Sequence, residues 1–153
     1  MQKIDLLMVG VGGQGTILAS DIVGDVAITS GYDVKKTDTL GMAQRGRSVV
    51  SHLRMADTVY SPMIQPGQAD ILIAFEKLEA MRLVHFLKPG GVVIVNDHVV
   101  PLLSVSLGNK QYPTDADVVE IFKQLTERVF MVNGSTIARE TGDVRTLNII
   151  ILG

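Results

Sequence analysis

The feature that most constrains the fold is a short apolar run that leads directly into a glycine-rich turn. Residues 4–9 are almost continuously apolar, which is typical of a strand buried on both faces, as in a parallel sheet. The turn contains Gly10, Gly12, Gly13 and Gly15. From Thr16 to Gly31 the apolar residues recur at helical spacing, which predicts a helix. Its two apolar rows, Leu18/Ile22/Val26 and Ala19/Val23/Ala27, are expected to face the sheet together.

The rest of the chain alternates between strand-like and helix-like segments. Strands are predicted at 33–37, 70–75, 92–96 and 129–132, with helices at 76–87 and 115–127. Residues 99–105 are expected to form an edge strand or loop, and Ser135 is expected to cap a short helix that Gly142 closes. Residues 48–55 alternate in polarity and could turn back into a short strand at 58–60, which would add an antiparallel pair. We therefore predict an α/β fold, a three-layer Rossmann-like domain over residues 1–153 whose sheet is mostly parallel but mixed.

Composition narrows the functional classes. The 153 residues carry a net charge of −2, with basic residues scattered along the chain, so nucleic acid is not an expected partner. The longest apolar runs have the length of strands, so no membrane segment is expected. The strand pattern begins within the first residues, which leaves no signal peptide and predicts a cytoplasmic protein.

The chain contains no cysteine and three histidines without close spacing. It therefore cannot ligate an iron–sulfur cluster through thiolates or form a disulfide, and a zinc site is not expected. Any redox centre would have to come from a ligand or another chain.

The spacing of Gly10, Gly12 and Gly15 fits a dinucleotide-binding fingerprint, placed between a strand and a helix as that chemistry needs. An acidic residue about 20 positions further on usually binds the ribose. Asp33 and Asp38 are candidates, but neither clearly ends an apolar strand. The glycines could equally serve only to close the turn.

Several motifs, taken in order, resemble one family over essentially the whole chain. They are residues 10–15 (GVGGQG), 40–46 (LGMAQRG), 48–54 (SVVSHLR), 60–62 (YSP), 69–72 (ADIL), 75–82 (FEKLEAMR), 88–91 (KPGG), Asn96, 112–113 (YP), 138–140 (ARE), Asn148 and 152–153 (LG). This set resembles the gamma-type subunit of 2-oxoacid:ferredoxin oxidoreductases, and in particular the small (beta) subunit of indolepyruvate ferredoxin oxidoreductase.

The chain departs from that family in two places. Arg47 follows Gly46 where family members usually have a second glycine. Members also usually continue past Gly153 into a C-terminal helix, which this domain is expected to lack.

The resemblance implies a multisubunit enzyme in which thiamine diphosphate attacks the 2-oxo carbon, carbon dioxide leaves, and iron–sulfur clusters pass electrons to ferredoxin. The acyl group goes to coenzyme A. The chain would bind no cofactor alone, would be inactive in isolation, and would have the thiamine- and cluster-bearing subunits as partners, with ferredoxin an indirect one.

No catalytic or metal-binding residue is predicted on this chain. The residues expected to approach a cofactor lie in two glycine-containing segments: Gly10, Gly12, Gly13, Gln14, Gly15, Thr16, Gly41, Met42, Arg45, Gly46 and Arg47. Arginines there could hold a phosphate of coenzyme A, a substrate carboxylate or a partner subunit. His52 is expected at the surface, and Glu76 and Glu79 are expected to cap a helix.

Two other functions fit the sequence. The glycine fingerprint would suit an independent NAD(P)- or FAD-binding oxidoreductase. A small ligand-sensing or scaffold domain without enzymatic activity is the third hypothesis.

Overall fold

The computed structural model describes residues 1–40, 48–98 and 112–153. Its strands are β1 (Ile4–Val11), β2 (Asp33–Leu40), β3 (Ser48–Ala56), β4 (Ala69–Ala74), β5 (Leu87–Asn96) and β6 (Val129–Val132). Its α-helices are α1 (Thr16–Thr29), α2 (Lys77–Arg82), α3 (Asp115–Lys123), α4 (Gly134–Glu140) and α5 (Leu147–Leu152). Short 3-10 turns at Val84–Phe86 and Val144–Thr146 precede β5 and α5.

The described strands form one sheet in the order β2-β3-β1-β4-β5-β6. Strand β3 is antiparallel to both of its neighbours, whereas β1, β4, β5 and β6 pair in parallel. The predicted mostly parallel, mixed sheet is therefore confirmed. The predicted strand at 58–60 is wrong, because Val59 N–H donates to the Asp33 carboxylate (2.8 Å) and this segment belongs to a loop.

Helices cover both faces of the sheet, which gives the three predicted layers. On one face, α2 and α3 pack through Ala80, Val118 and Phe122. On the other, α1, α4 and α5 pack through small and aliphatic side chains that include Ala19, Ala138 and Ile151.

Helix α1 faces the sheet with only one of its two predicted rows. Ala19 and Ala27 are buried, whereas Leu18 and Val26 are 55% and 61% exposed. Gly24 lies on the buried side, where an added Cβ would be 3.5 Å from Leu53 Cδ1. Small residues let the helix approach the sheet closely, and the larger apolar residues are left outside.

Other element boundaries differ from the sequence prediction. Helix α2 ends at Arg82, because the chain tightens into a 3-10 turn before β5, and α3 ends at Lys123. Ser135 was expected to cap a helix, but the N-cap residue of α4 is Asn133, two positions earlier, and Ser135 is buried in the first turn.

Ion pairs hold the sheet at the end where β1 and β4 begin. The fully buried Asp5 carboxylate accepts from Arg54 Nε at 2.9 Å and pairs with Lys3 Nζ at 2.9 Å. Asp5 N–H donates to the Asp70 carboxylate (2.7 Å), which also pairs with Lys88. Arg54 Nη1 donates to the Ser61 carbonyl (3.1 Å), so the same guanidinium also holds the loop that follows β3.

Candidate functional site at the glycine loop

The glycine loop joins the end of β1 to α1 and lies where the sequence predicts it. An added Cβ on Gly10 would be 2.4 Å from Thr16 Oγ1 and 3.2 Å from Phe75 Cβ, so this position has no room for a side chain. Gly13 and Gly15 have φ values of 93° and 79°, a backbone region that favours glycine. Gly12 is exposed at the tip. The glycines thus serve both close packing and the turn.

The side chain of Gln14 turns inward and closes the loop. Its Oε1 accepts from Val11 N–H at 2.7 Å, and its Nε2 donates to the Phe75 carbonyl at 3.3 Å. The Gln14 amide therefore holds the loop in place, and the loop presents mainly backbone to the outside.

The first turn of α1 is open to an anion. Gly15 occupies the N-cap position, no side chain caps the helix, and no acidic residue lies in its first turn. The Thr16 hydroxyl is buried and has no hydrogen-bond partner among the described residues. Free N–H groups and the helix dipole favour negative charge at such a terminus.

A cavity of about 390 Å³ lies beside this turn. One wall is the glycine loop with Leu18, and the other comes from His98 after β5, from α4, and from α5 with the 3-10 turn before it. The lining residues are Gly13, Gln14, Gly15, Leu18, His98, Ser135, Ala138, Arg139, Val144, Arg145, Leu147 and Asn148. The cavity lies at the carboxyl ends of β1, β4 and β5, the edge where open α/β sheets bind ligands.

Positive charge borders the cavity. Arg145 pairs with Asp143 at 2.8 Å, whereas Arg139 makes no ion pair within the described part of the chain. Burial, followed by the charge of Arg139, lowers the pKa of His98 from its ordinary value of 6.5, so a neutral imidazole faces the cavity at pH 7. With apolar Leu18 and Val144 nearby, the cavity suits an amphipathic ligand that has an anionic end.

Two buried carboxylates lie at the same edge, at the start of α2. Glu76 caps the helix as predicted, accepting from Glu79 N–H at 2.9 Å, but its Oε1 has no hydrogen-bond partner among the described residues. Burial raises the pKa of Glu76. Glu79 accepts from Ser48 Oγ at 2.5 Å and from Arg82 Nη1 at 3.0 Å. The capping role is confirmed for Glu76 but is wrong for Glu79, whose carboxylate binds Ser48 and Arg82 instead. The burial of both side chains was not predicted.

The second predicted segment, with Gly41, Met42, Arg45, Gly46 and Arg47, lies outside the described residues, as does the edge strand or loop expected at 99–105. Val11 pairs with Ser48 in the sheet, and Leu40 with Val49. The residues that flank 41–47 therefore lie at the same edge as the glycine loop.

His52 is buried, contrary to the surface position expected from its place on the polar side of β3. Its Nδ1 accepts from Ile64 N–H at 3.3 Å, and its ring meets that of Phe86 edge-on with centroids 5.7 Å apart. The loop after β3 covers it, and the alternation within the strand could not reveal that loop's path.

The acidic candidates for a ribose contact are both engaged elsewhere. Asp33 lies at the start of β2, opposite Ala56 and at the other end of the sheet from the glycine loop, where it binds Lys35 and Val59 N–H. Asp38 accepts from Ser51 Oγ at 2.5 Å.

In the described ranges, no cluster of three or more His, Cys, Asp or Glu residues could hold a metal ion. Across the same ranges, no helix combines the length and apolar character needed to cross a membrane.

Sequence comparisons relate nearly the whole chain to known proteins. Residues 5–153 match the family described as pyruvate ferredoxin/flavodoxin oxidoreductase. Indolepyruvate oxidoreductase subunit IorB from Archaeoglobus fulgidus is 38% identical over 151 residues, covering 99% of this chain and 75% of that protein. The protein of the same name from Pyrococcus horikoshii is 34% identical, covering 100% of this chain and 76% of that protein.

Solved structures share the fold. A 2-oxoglutarate:ferredoxin oxidoreductase from Magnetococcus marinus, with 2-oxoglutarate, coenzyme A and succinyl-CoA bound, matches with a TM-score of 0.69 and 19% identity over 97% of this chain and 23% of that chain. The gamma subunit of a keto/oxoacid ferredoxin oxidoreductase from Geobacter sulfurreducens matches with a TM-score of 0.66 and 21% identity over 97% of this chain and 71% of that chain. At these identities the likeness is one of fold.

Proposed function

The chain belongs to the pyruvate ferredoxin/flavodoxin oxidoreductase family, and on that premise we propose that it is the cofactor-free subunit of a thiamine diphosphate and iron–sulfur dependent 2-oxoacid:ferredoxin oxidoreductase. The family resemblance predicted from the ordered motifs is confirmed. The proposed substrate is indolepyruvate or a related 2-oxoacid, and the proposed product is the acyl-CoA. The supporting observation is the end-to-end similarity, at 38% identity, to a protein named as an indolepyruvate oxidoreductase subunit.

The proposed division of labour follows from the residues present. With no cysteine, the chain has no thiolate for an iron–sulfur cluster, so clusters and thiamine diphosphate are assigned to partner subunits. Thiamine diphosphate would supply the carbanion that attacks the 2-oxo carbon. This chain would contribute binding surface to the coenzyme A that receives the acyl group.

The cavity beside the glycine loop is the proposed contact with coenzyme A. The uncapped first turn of α1 and Arg139 would attract its phosphates, and Leu18 would pack against its apolar arm. Gly10, Gly12, Gly13, Gly15 and Thr16 would give the backbone close access, as the sequence predicts. The matching Magnetococcus marinus enzyme is one that binds coenzyme A, which motivates this ligand.

The function is tested by co-expressing the full chain with the proteins encoded beside it. We expect co-purification with a larger, cysteine-containing partner that binds thiamine diphosphate, and 2-oxoacid-dependent reduction of ferredoxin by the complex but not by either part alone. Recovery of this chain as a free monomer under mild conditions, with no such partner, would overturn the proposal.

Calorimetry on the isolated chain tests the alternative that the protein is an independent nucleotide-dependent oxidoreductase. Because Asp33 and Asp38 are engaged within the sheet, we expect no heat with NAD, NADP or FAD at concentrations of about 1 mM, where weak dinucleotide binding would be detected. Saturable heat with any of the three would favour that alternative.

A further inference from the structure

One buried backbone carbonyl, next to the glycine loop, accepts from two side-chain amides. The Phe75 carbonyl, just after β4, accepts from Gln14 Nε2 at 3.3 Å and from Asn96 Nδ2 at 3.2 Å. Gln14 belongs to the glycine loop, and Asn96 is the last residue of β5. Phe75 and Asn96 are both fully buried. The ends of three structural segments therefore meet at a single oxygen.

Asn96 also fixes the opposite wall of the cavity. Its Nδ2 donates to Ser135 Oγ at 3.0 Å, and its Oδ1 accepts from Ser135 N–H at 3.3 Å. An added Cβ on Gly134 would be 3.0 Å from Asn96 Oδ1 and 2.7 Å from Ile151 Cδ1. The first turn of α4 is thus held against Asn96 by two hydrogen bonds and by the lack of free space.

These contacts form a continuous path between the two walls. It runs from the loop backbone at Val11 through the Gln14 amide, the Phe75 carbonyl and the Asn96 amide to Ser135. The glycine loop supplies Gly13 and Gly15 to the cavity, and α4 supplies Ala138 and Arg139. The spacing between the loop and Arg139 consequently depends on the geometry around Asn96.

We propose that Asn96 is a positioning residue that sets the width of the cavity by joining the glycine loop to α4 through the Phe75 carbonyl. It does not need to touch a ligand. A buried amide with both of its ends engaged has one favoured orientation, so it can hold two structural elements at a defined distance. The positioning role stands on the geometry alone, whereas its effect on coenzyme A rests on the proposed function.

The first test compares hydrogen exchange in the full chain for three substitutions. Asn96→Leu removes every polar contact at similar volume; Ser135→Ala removes only one and is the milder variant should Asn96→Leu fold poorly. Thr126→Val is the matched control, because Thr126 is also buried and its Oγ1 donates to the Gly91 carbonyl in β5 at 2.7 Å and accepts from Arg128 N–H at 3.0 Å, away from the cavity.

The expected result is local loosening at both walls. Exchange should accelerate by about tenfold or more at the amides of Gln14 and Ala19 on one wall and of Ile137 on the other, relative to Thr126→Val. These amides are hydrogen-bonded to Val11, Gly15 and Asn133 carbonyls in the native chain. An acceleration spread evenly over the sheet, or confined to one wall, would overturn the positioning role.

The second test uses the reconstituted complex and coenzyme A as the probe. Asn96→Leu, which changes no residue that lines the cavity, should raise the KM for coenzyme A by about fivefold or more while kcat changes by less than about twofold, because only ligand binding depends on the wall spacing. If exchange loosens at both walls but KM is unchanged, Asn96 keeps its positioning role and the assignment of this cavity to coenzyme A fails.

Discussion

The two ends of the sheet differ in how completely their buried polar groups are paired. Where β1 begins, the buried Asp5 carboxylate is held by Arg54 and Lys3. Where β1 ends, Asn96 is fully paired, but the Thr16 hydroxyl and Glu76 Oε1 are buried without a hydrogen-bond partner among the described residues, at the same edge of the sheet as the cavity. Buried polar groups are normally paired, and unpaired ones concentrate at functional sites. The difference indicates that the first end stabilises the fold, whereas the second gives up some stability to remain available for a ligand or partner.

The largest expected effect concerns the first end. Arg54→Ala leaves Asp5 buried with only the half-exposed Lys3 as a partner, so the free energy of unfolding should fall by about 3 kcal/mol or more in urea denaturation. Lys3→Ala is the control, and its cost should stay below about 1 kcal/mol because water screens the Lys3 ammonium. Equal losses for the two variants would mean that this end does not depend on a buried ion pair.

A smaller change in the free energy of unfolding is expected for two glycines of the loop that follows β1. Gly10→Ala forces a Cβ against Thr16 and Phe75 and should destabilise the chain by about 2 kcal/mol. At Gly13 an added Cβ meets nothing within 4 Å, so Gly13→Ala should cost only the strain of a positive φ, about 1 kcal/mol, in the same denaturation experiment. If Gly13→Ala proved the more costly change, the backbone conformation of the loop would contribute more to stability than its packing does.

Two threonine-to-valine substitutions compare the ends directly. Thr126→Val breaks the hydrogen bonds that Thr126 Oγ1 makes to the Gly91 carbonyl and from Arg128 N–H, and should cost about 1 kcal/mol or more. Thr16→Val replaces an unpaired buried hydroxyl with a methyl group and should leave stability unchanged or raise it by about 1 kcal/mol. Thermal unfolding of the native chain and of both variants measures whether each substitution lowers or raises stability. A loss of stability in Thr16→Val would show that its hydroxyl is paired in solution.

The smallest expected effect depends on pH and involves Glu76. Because burial raises its pKa above the ordinary value of 4.5, the folded chain retains this proton to higher pH than the unfolded chain does. The resulting stabilisation is complete below pH 4.5 and is lost as pH rises through the folded-state pKa. Relative to Glu76→Gln, the native chain should therefore lose stability as the pH rises above about 4.5.

Urea denaturation at several pH values measures that difference. Glu120→Gln on the exposed face of α3 is the control and should track the native chain at every pH. A native chain that instead gained stability with pH relative to Glu76→Gln would mean that the ionised carboxylate is stabilised at this edge.

The sequence predicts the fold well where the pattern is local. A continuous apolar run followed by glycines is sufficient to place β1, the loop and α1, because the backbone conformations of Gly13 and Gly15 are set by neighbouring residues. The prediction from sequence fails where a residue packs against residues that are distant in the chain. Alternation in β3 indicates a strand but not that β3 pairs with β1 and β2, and the burial of His52 depends on Ile64 and Phe86.

The candidate site shows the same limit. The glycine loop is visible from spacing alone, whereas the contribution of Arg139 and Asn148 depends on how α4 and α5 pack against the loop. The meeting of Gln14 and Asn96 at one carbonyl joins residues far apart in the chain, and no local signal marks Asn96 beyond its place at the end of an apolar strand.

The position of β3 has a consequence for how the glycine fingerprint is read. In a dinucleotide-binding domain the second strand lies directly beside the first, so an acid at its tip reaches the ribose of a cofactor whose pyrophosphate rests on the glycines. Here β3 is inserted between them, which moves the tip of β2 from one strand spacing to two, about 10 Å from β1. The turn has kept the form of a nucleotide site, but the strand that would recognise the adenosine half has been displaced sideways.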